Sequence, residues 1–188
     1  MFQPASMHAI IPPDEHGSAK IVHDTPDPFT RLRAAMHGQE LSHGKYTRLI
    51  VDGTLWMTDA DYEWRTNLEA VDKMKGDVLL AGLGIGFIVC PALSDPGVSS
   101  VTVIENNADV VALIVPHLNG SKLKIVEADA RQWIPPRKSY DCIYFDIWAN
   151  VPNSDDWEDI KALKRRYRPA LRSGGWMKAW CENQARQR

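Results

Sequence analysis

Three glycines and three acids stand at comparable places along this chain. Gly82, Gly84 and Gly86 follow an apolar run, Val78–Ala81, in the stretch DVLLAGLGIGFI. Glu105, with Asn106 beside it, closes the run Val101–Ile104; Asp129 and Ala130 follow Leu123–Val126; Asp146 follows Tyr140–Phe145. Glycine permits both tight left-handed turns and close approach to the backbone. A glycine turn after a buried strand therefore suits a ligand laid against the main chain, with free N–H groups of a helix behind it. Glu105 lies 21 residues beyond Gly84, where a strand-end carboxylate can accept from both hydroxyls of a ribose. Asp129 is placed to receive an adenine amino group. Asp146 points into the same crevice as a candidate base.

These residues need strands and helices to hold them, and the hydrophobic pattern supplies both. Strands are expected at Val78–Ala81, Val101–Ile104, Leu123–Val126, Tyr140–Phe145 and Trp176–Trp180. Helices are expected at Phe87–Leu93, Ala108–Leu118 and Asp155–Leu171, the last interrupted near Pro169. Such alternation predicts an α/β fold: a Rossmann-like parallel sheet with helices on both faces. Ahead of it, Tyr46–Val51 and Thr54–Met57 flank Asp52-Gly53, a hairpin signal. Thr58-x-x-Asp61 reads as a capping box opening a helix whose inward face is Tyr62, Leu68, Val71 and Met74. Residues 1–45 suggest short strands, loops and a turn of helix near Phe29–Met36. The expected division is a β-rich region over 1–57 and a nucleotide-binding domain over 58–188.

The 188 residues are 44% hydrophobic and 24% charged with net charge −2, values of a chain that can bury a real core. No apolar run approaches the length of a membrane span, and the first residues lack a secretory pattern. Cys90, Cys142 and Cys181 have no metal-ligand spacing and read as reduced core residues of a cytoplasmic protein. His8, His16, His23, His37 and His43 match no metal motif, so no metal is expected. Residues 161–188 hold nine Lys or Arg against the single acid Glu182. Acids at 155–159 followed by bases at 164–168 suit a helix dipole, which argues against nucleic-acid binding.

Two cofactors suit a ribose-binding acid, a nicotinamide dinucleotide and S-adenosylmethionine. The dinucleotide pattern Gly-x-Gly-x-x-Gly fails at Phe87, and acids after the third and fourth strands favour S-adenosylmethionine. Over residues 44–180 the chain resembles the class I S-adenosylmethionine-dependent methyltransferase fold, and within it the spermidine synthase-like branch. The resemblance rests on LIVDGTLWMTDADYE, the glycine turn, VTVIE, EADARQW and YDCIYFDIW. It implies that Glu105 holds the ribose, Asp129 with Ala130 the adenine, and Asp146 the reacting end. Aminopropyltransferases of this branch carry an acid in the glycine turn, where this chain has Ile85. They also carry a second Asp in the active-site loop, where it has Ala149, and a glutamine in the hairpin, where it has Trp56. These departures argue for intact S-adenosylmethionine and methyl transfer to a small-molecule acceptor. Trp148 is a candidate to set its ring against a cationic acceptor or the sulfonium. Tyr46 and Trp56, with Tyr62 and Trp64 nearby, are candidates for an acceptor pocket. The resemblance further implies two strands after the fifth, for which few residues remain. The last strand is then either an exposed edge, which proteins normally cover, or one covered by a second chain or by the N-terminal segment, and a homodimer is expected. Two alternatives stay open: an aminopropyltransferase using decarboxylated cofactor, and a non-catalytic nucleoside-binding or interaction module.

Overall fold

The computed structural model describes residues 7–36, 41 and 44–186. Two sheets make up its β structure. The smaller is antiparallel, in the order β1 (Asp14–His16), β2 (Ala19–Asp24), β3 (Tyr46–Val51) and β4 (Thr54–Thr58). Helix α1 (Pro28–Met36) lies between β2 and β3. The β3–β4 hairpin turns at Asp52 and Gly53, both with positive φ, as a two-residue turn requires. Helix α2 (Asp61–Lys73) follows.

The larger sheet is parallel. Its strands are β5 (Gly76–Ala81), β6 (Val98–Glu105), β7 (Leu123–Glu127), β8 (Tyr140–Phe145) and β9 (Leu171–Ala179), in the order β7-β6-β5-β8-β9. The order reverses between β5 and β8, which makes that point the switch of the sheet. Both faces are covered, so the central strands are apolar throughout. Val78, Leu80, Cys142 and Tyr144 pack on one face with α2, α3 (Val89–Ser94) and α4 (Ala108–Ile114). Leu79, Ala81, Ile143 and Phe145 pack on the other with Ile160, Leu163 and Tyr167 of α5 (Trp157–Tyr167) and Ala185 of α6 (Glu182–Arg186).

Several local expectations are corrected. Thr58 ends β4 instead of opening α2: the N-cap is Ala60, which makes no side-chain cap, and its amide donates to Thr58 Oγ1. Of the expected inward face of α2, Tyr62, Val71 and Met74 pack on the core but Leu68 is exposed, and Glu63, Asn67 and Ala70 also face inward. Helix α3 starts two residues later than expected because Gly84 and Gly86 hold the chain in a turn. The helix expected over 155–171 is α5 between two 3-10 turns, and its entry is capped by Asn153 and Asp156 as a reciprocal box. Strand β9 begins at Leu171, and a register shift opposite Tyr140–Cys142 absorbs Gly174 and Gly175.

The N-terminal sheet packs on α4 through β1 and β2. Asp109 of α4 accepts from the amide and hydroxyl of Ser18 and pairs with His16. Asp59, buried at the end of the hairpin, accepts from the amides of Met7 and Thr47. Among the described residues no N-terminal strand pairs with β9, so the expectation that this segment extends the sheet there is withdrawn. No described helix is long and apolar enough to cross a membrane.

Candidate functional site

A cavity of about 450 Å³ opens at the carboxyl ends of β5, β6, β7 and β8, under the β3–β4 hairpin. This is where an open parallel sheet binds its ligands. The glycine turn forms one wall through Gly82, Leu83 and Gly84.

What the glycines make room for is protein. A Cβ on Gly82 would stand 1.9 Å from the Asp146 carbonyl oxygen, and one on Gly84 would stand 2.4 Å from Met57 Sδ of the hairpin. Gly82 thus lets β8 end against the turn, and Gly84 lets the hairpin close over it. Gly86 does not line the cavity; a Cβ there would meet Leu118 at 2.8 Å. It belongs to the packing behind the turn, which corrects its place among the ligand-binding glycines. Ile85 is fully buried in the core beneath the turn.

Glu105 is fixed by the turn it faces. Its Oε2 accepts from the Leu83 amide at 3.0 Å and its Oε1 from the Asn107 amide at 2.9 Å. Each oxygen keeps a further lone pair. The carboxylate is thus held at the lip of the cavity before any ligand arrives. Asn106 lies beside it, exposed at the rim. Asn107 caps α4 with its own side chain, accepting from the amides of Asp109 and Val110.

Across the opening, Asp129 and Ala130 line the cavity as expected. Asp129 Oδ1 accepts from the Arg131 amide and Oδ2 from Gln132 Nε2. The carbonyl of Ala130 accepts from the buried Tyr167 hydroxyl at 2.8 Å, which pins this loop to α5. Arg131 forks onto Asp159 at 2.7–3.1 Å, and that hydrogen bonding raises its pKa further.

Asp146 lies at the switch point. Its amide donates to the Ala81 carbonyl at 2.7 Å, so β8 ends locked against β5. No described group donates to its carboxyl, and burial pushes its pKa up to about 7. Glu63, in the first turn of α2, lines the same cavity and escaped the sequence reading. Burial, and then the charge of Asp146, push its pKa up to about 8. Trp180, just beyond β9, was also missed; its indole N–H donates to Thr66 Oγ1. A signal for Glu63 existed. The stripe Glu63–Asn67–Ala70–Met74 has helical spacing with polar residues at two inward positions, and Asn67 accepts from the buried Tyr144 hydroxyl.

Of the aromatic candidates, Trp56 and Trp148 line the cavity. Trp56 is 44% exposed at the mouth. Trp148 keeps a buried Nε1 with no acceptor. Tyr46 is buried in the small sheet and does not line the cavity, so it is withdrawn as an acceptor residue. Tyr62 turns to Cys181 and Gln184, and Trp64 packs edge-on against Phe87, so neither lines it. Among the described residues no three His, Cys, Asp or Glu side chains converge on a metal position. His37 and His43 lie outside the described residues.

No model of a protein family matches the sequence, and no curated protein matches it. Solved structures do. A spermidine synthase from Thermotoga maritima is similar over 75% of this chain and 50% of its own, at 18% identity and a TM-score of 0.54. A spermidine synthase in complex with the transition-state analogue AdoDATO is similar over the same shares, at 18% identity and a TM-score of 0.52. A Listeria monocytogenes protein assigned as an S-adenosylmethionine-dependent methyltransferase is similar over 62% of this chain and 54% of its own, at 13% identity and a TM-score of 0.50. The chain spans about half the length of these proteins. The likeness is one of fold: this chain has the class I methyltransferase fold that spermidine synthase shares.

Proposed function

We propose that this chain binds S-adenosylmethionine in the cavity and transfers its methyl group to a small-molecule acceptor. The observation that carries the reading is the Glu105 carboxylate, held by two amides at the lip of a cavity at the sheet's switch point. The residues suit such a ligand. About 450 Å³ is room for a nucleoside of this size. Glu105 has lone pairs left for ribose hydroxyls, and Trp148 offers a buried N–H without an acceptor. The cofactor, when bound, supplies an activated methyl group on a sulfonium. This chain's residues orient it: Glu105 at the ribose, Asp129 and Ala130 at the adenine edge, and Gly82 to Gly84 as the wall. Asp146, raised to a pKa of about 7, is suited to take a proton from the acceptor near neutrality.

One observation favours a second reading. Arg131 is the one basic side chain lining the cavity among the described residues, and it is tied to Asp159. Asp52 and Glu63 line it too. A carboxylate on the ligand would thus find no free side-chain cation, which suits decarboxylated S-adenosylmethionine and aminopropyl transfer. Calorimetric titration with both forms and with NAD, using Glu105→Ala as control, separates the readings. Tight binding of the intact form, lost in the variant, is expected. A clear preference for the decarboxylated form selects the second reading, and no binding by any of the three sinks both.

Three free cysteines, Cys90, Cys142 and Cys181, support work in a reducing compartment, and we assign the protein to the cytoplasm. Among the described residues, strand β9 pairs with β8 alone. A second copy joined along that edge is the proposed homodimer, which sedimentation velocity tests.

A further inference from the structure

Two segments that adjoin at the amino ends of β8 and β9 hold eight Lys or Arg and no Asp or Glu. They are RQWIPPRKS, residues 131–139, and KRRYRPALR, residues 164–172. The backbone ties them together. The Lys138 amide donates to the Pro169 carbonyl at 2.9 Å, and the Ser139 amide to the Ala170 carbonyl at 2.8 Å. Arg172 Nε donates to the Lys138 carbonyl at 3.2 Å, and Arg166 Nη1 to the Gln132 carbonyl at 3.4 Å. Trp133 lies on the buried Tyr167, with ring centroids 6.3 Å apart.

Three of the eight have acids of their own. Arg131 pairs with Asp159, Lys164 with Glu182, and Arg172 with Asp77 and Asp141. The other five, Arg137, Lys138, Arg165, Arg166 and Arg168, are exposed. No ion pair among the described residues includes them. The dipole of α5 accounts for Arg165 and Arg166 in its last turn. It does not account for Arg137 and Lys138, which a loop brings to the same place. Lys138 takes a φ of 50°, uncommon for a residue with a side chain, and the two amide bonds to the 169–170 carbonyls hold it there. Gathering like charges costs the free protein self-repulsion, which an anionic partner relieves.

Ile134 decides what kind of partner that is. It is 79% exposed beside these cations, while Pro135 next to it is buried. A single strand of nucleic acid binds through exposed rings on which its bases stack. These two segments expose no ring, because Trp133 is half-buried against Tyr167. Protein interfaces, by contrast, are enriched in Arg and set polar groups around an apolar contact. Four of the five cations are Arg, whose planar fork matches a carboxylate.

We propose that this surface, from Ile134 to Lys138 and from Arg165 to Arg168, docks an acidic segment of a partner protein, with Ile134 meeting an apolar side chain between the partner's carboxylates. The surface lies at the opposite end of the strands from the cavity, so the inference goes beyond the transferase reading and does not rest on it.

The test titrates the acetylated, amidated heptapeptide EDELEDE into the protein while the backbone amide resonances of Ile134, Arg137, Lys138 and Arg168 are followed. EDESEDE, which lacks the apolar residue, and an oligothymidylate are titrated alongside. EDELEDE should move these resonances, and its affinity should fall several-fold when salt is raised from low to physiological concentration. Two double variants, Arg137→Glu with Lys138→Glu and Arg165→Glu with Arg168→Glu, should each weaken it by about tenfold or more. Ile134→Ser, or EDESEDE in place of EDELEDE, should weaken it by roughly three- to tenfold. Lys124→Glu, on the exposed face of β7, is the control and should change nothing. No movement of these resonances, binding unchanged in both double variants, or equal binding of EDESEDE overturns the inference. Oligothymidylate bound more tightly than EDELEDE at the same residues also overturns it and assigns the surface to nucleic acid.

Discussion

At the amino ends of the parallel strands, Asp77 and Asp141 share Arg172; at the carboxyl ends, Asp146 and Glu63 share no cation. The first pair is fully partnered. Arg172 Nη1 donates to Asp77 at 2.7 Å and to Asp141 at 2.6 Å. Ser100 Oγ donates to Asp77 at 2.6 Å, and the Asp77 amide donates to Asp141 at 2.9 Å. The Ser100 hydrogen bond, and then Arg172, hold the Asp77 carboxyl below the usual carboxylate range. The second pair is raised by burial. One sheet thus carries acids at both ends, and the difference lies in what surrounds them. At the amino end the acids fasten four strands together. At the carboxyl end they are left in a form that a ligand can complete. Unpaired, perturbed acids in a cleft mark a functional site on physical grounds.

The largest break of this comparison comes from Glu105. Replacing it by alanine frees the Leu83 and Asn107 amides and, on the proposed function, removes the acceptor for two ribose hydroxyls. Charge-assisted hydrogen bonds contribute about 1.5–3 kcal/mol each, so nucleoside affinity should fall by roughly 100-fold or more in calorimetry. Asp141→Asn, at the other end of the sheet, should leave that affinity unchanged. Equal losses in the two variants would mean that Glu105 acts on folding alone.

A second break uses pH. Glu63 and Asp146 have folded-state pKa values above their ordinary ones, so the stability they allow is full at low pH and is lost as pH rises through about 8 and 7. Glu63→Gln should therefore stabilise the free protein above about pH 8, by roughly 2–4 kcal/mol, and leave it unchanged near pH 4. Asp77 is lowered, so its contribution has the opposite sign: present above its ordinary range and lost as pH falls. Asp77→Asn should destabilise at neutral pH and cost nothing in strong acid. Urea unfolding across this range reads both. Parallel pH profiles for the two variants would end the contrast.

A smaller effect belongs to Arg172. Its removal leaves Asp77 and Asp141 facing each other across β5 and β8. Arg172→Met should lower Tm at neutral pH by a few degrees. Nucleoside affinity should not change.

The contrast also explains what could be read from the chain. The parallel sheet was legible because its strands are apolar on both faces and its turns hold glycine. Tyr140–Phe145 falls on the observed strand residue for residue. Glu105, Asn106, Asp129, Ala130 and Asp146 were legible because each follows a strand, and strand ends converge at one edge. Glu63 was hidden because α2 reaches the cavity through tertiary packing, which no strand-end rule predicts; Trp180 follows β9 directly, but the sequence pattern places it inside the strand, Trp176–Trp180, and not at its end. Along α2 the apolar pattern shows Tyr62, Val71 and Met74, which pack on the core, but not the inward polar positions Glu63 and Asn67, and it places Leu68 inward where it is exposed. Tyr46 was misplaced because alternation along β3 shows which residues face inward, but not which of them the hairpin holds over the cavity. The glycines were found for an incomplete reason. Gly82 and Gly84 do border the cavity, but their missing Cβ atoms make room for the Asp146 carbonyl and Met57.

The finest test separates two indoles. Trp180 Nε1 donates to Thr66 Oγ1 at 2.9 Å, whereas the buried Nε1 of Trp148 has no acceptor. A buried donor without a partner costs about 1–3 kcal/mol in the free protein. Trp148→Phe relieves that cost, so the free protein should be unchanged or more stable by about 1 kcal/mol, the lost ring area offsetting part of the gain. If a ligand oxygen or nitrogen normally takes this N–H, nucleoside affinity should fall by roughly three- to tenfold in the same variant. Trp180→Phe should behave the other way, losing about 1 kcal/mol of stability with its satisfied hydrogen bond and little affinity. A gain in stability coupled to a loss in affinity is what separates a donor kept for a ligand from one that is merely unpaired. Trp148→Phe binding the nucleoside as tightly as the native chain would assign its indole to packing beneath the loop after β8.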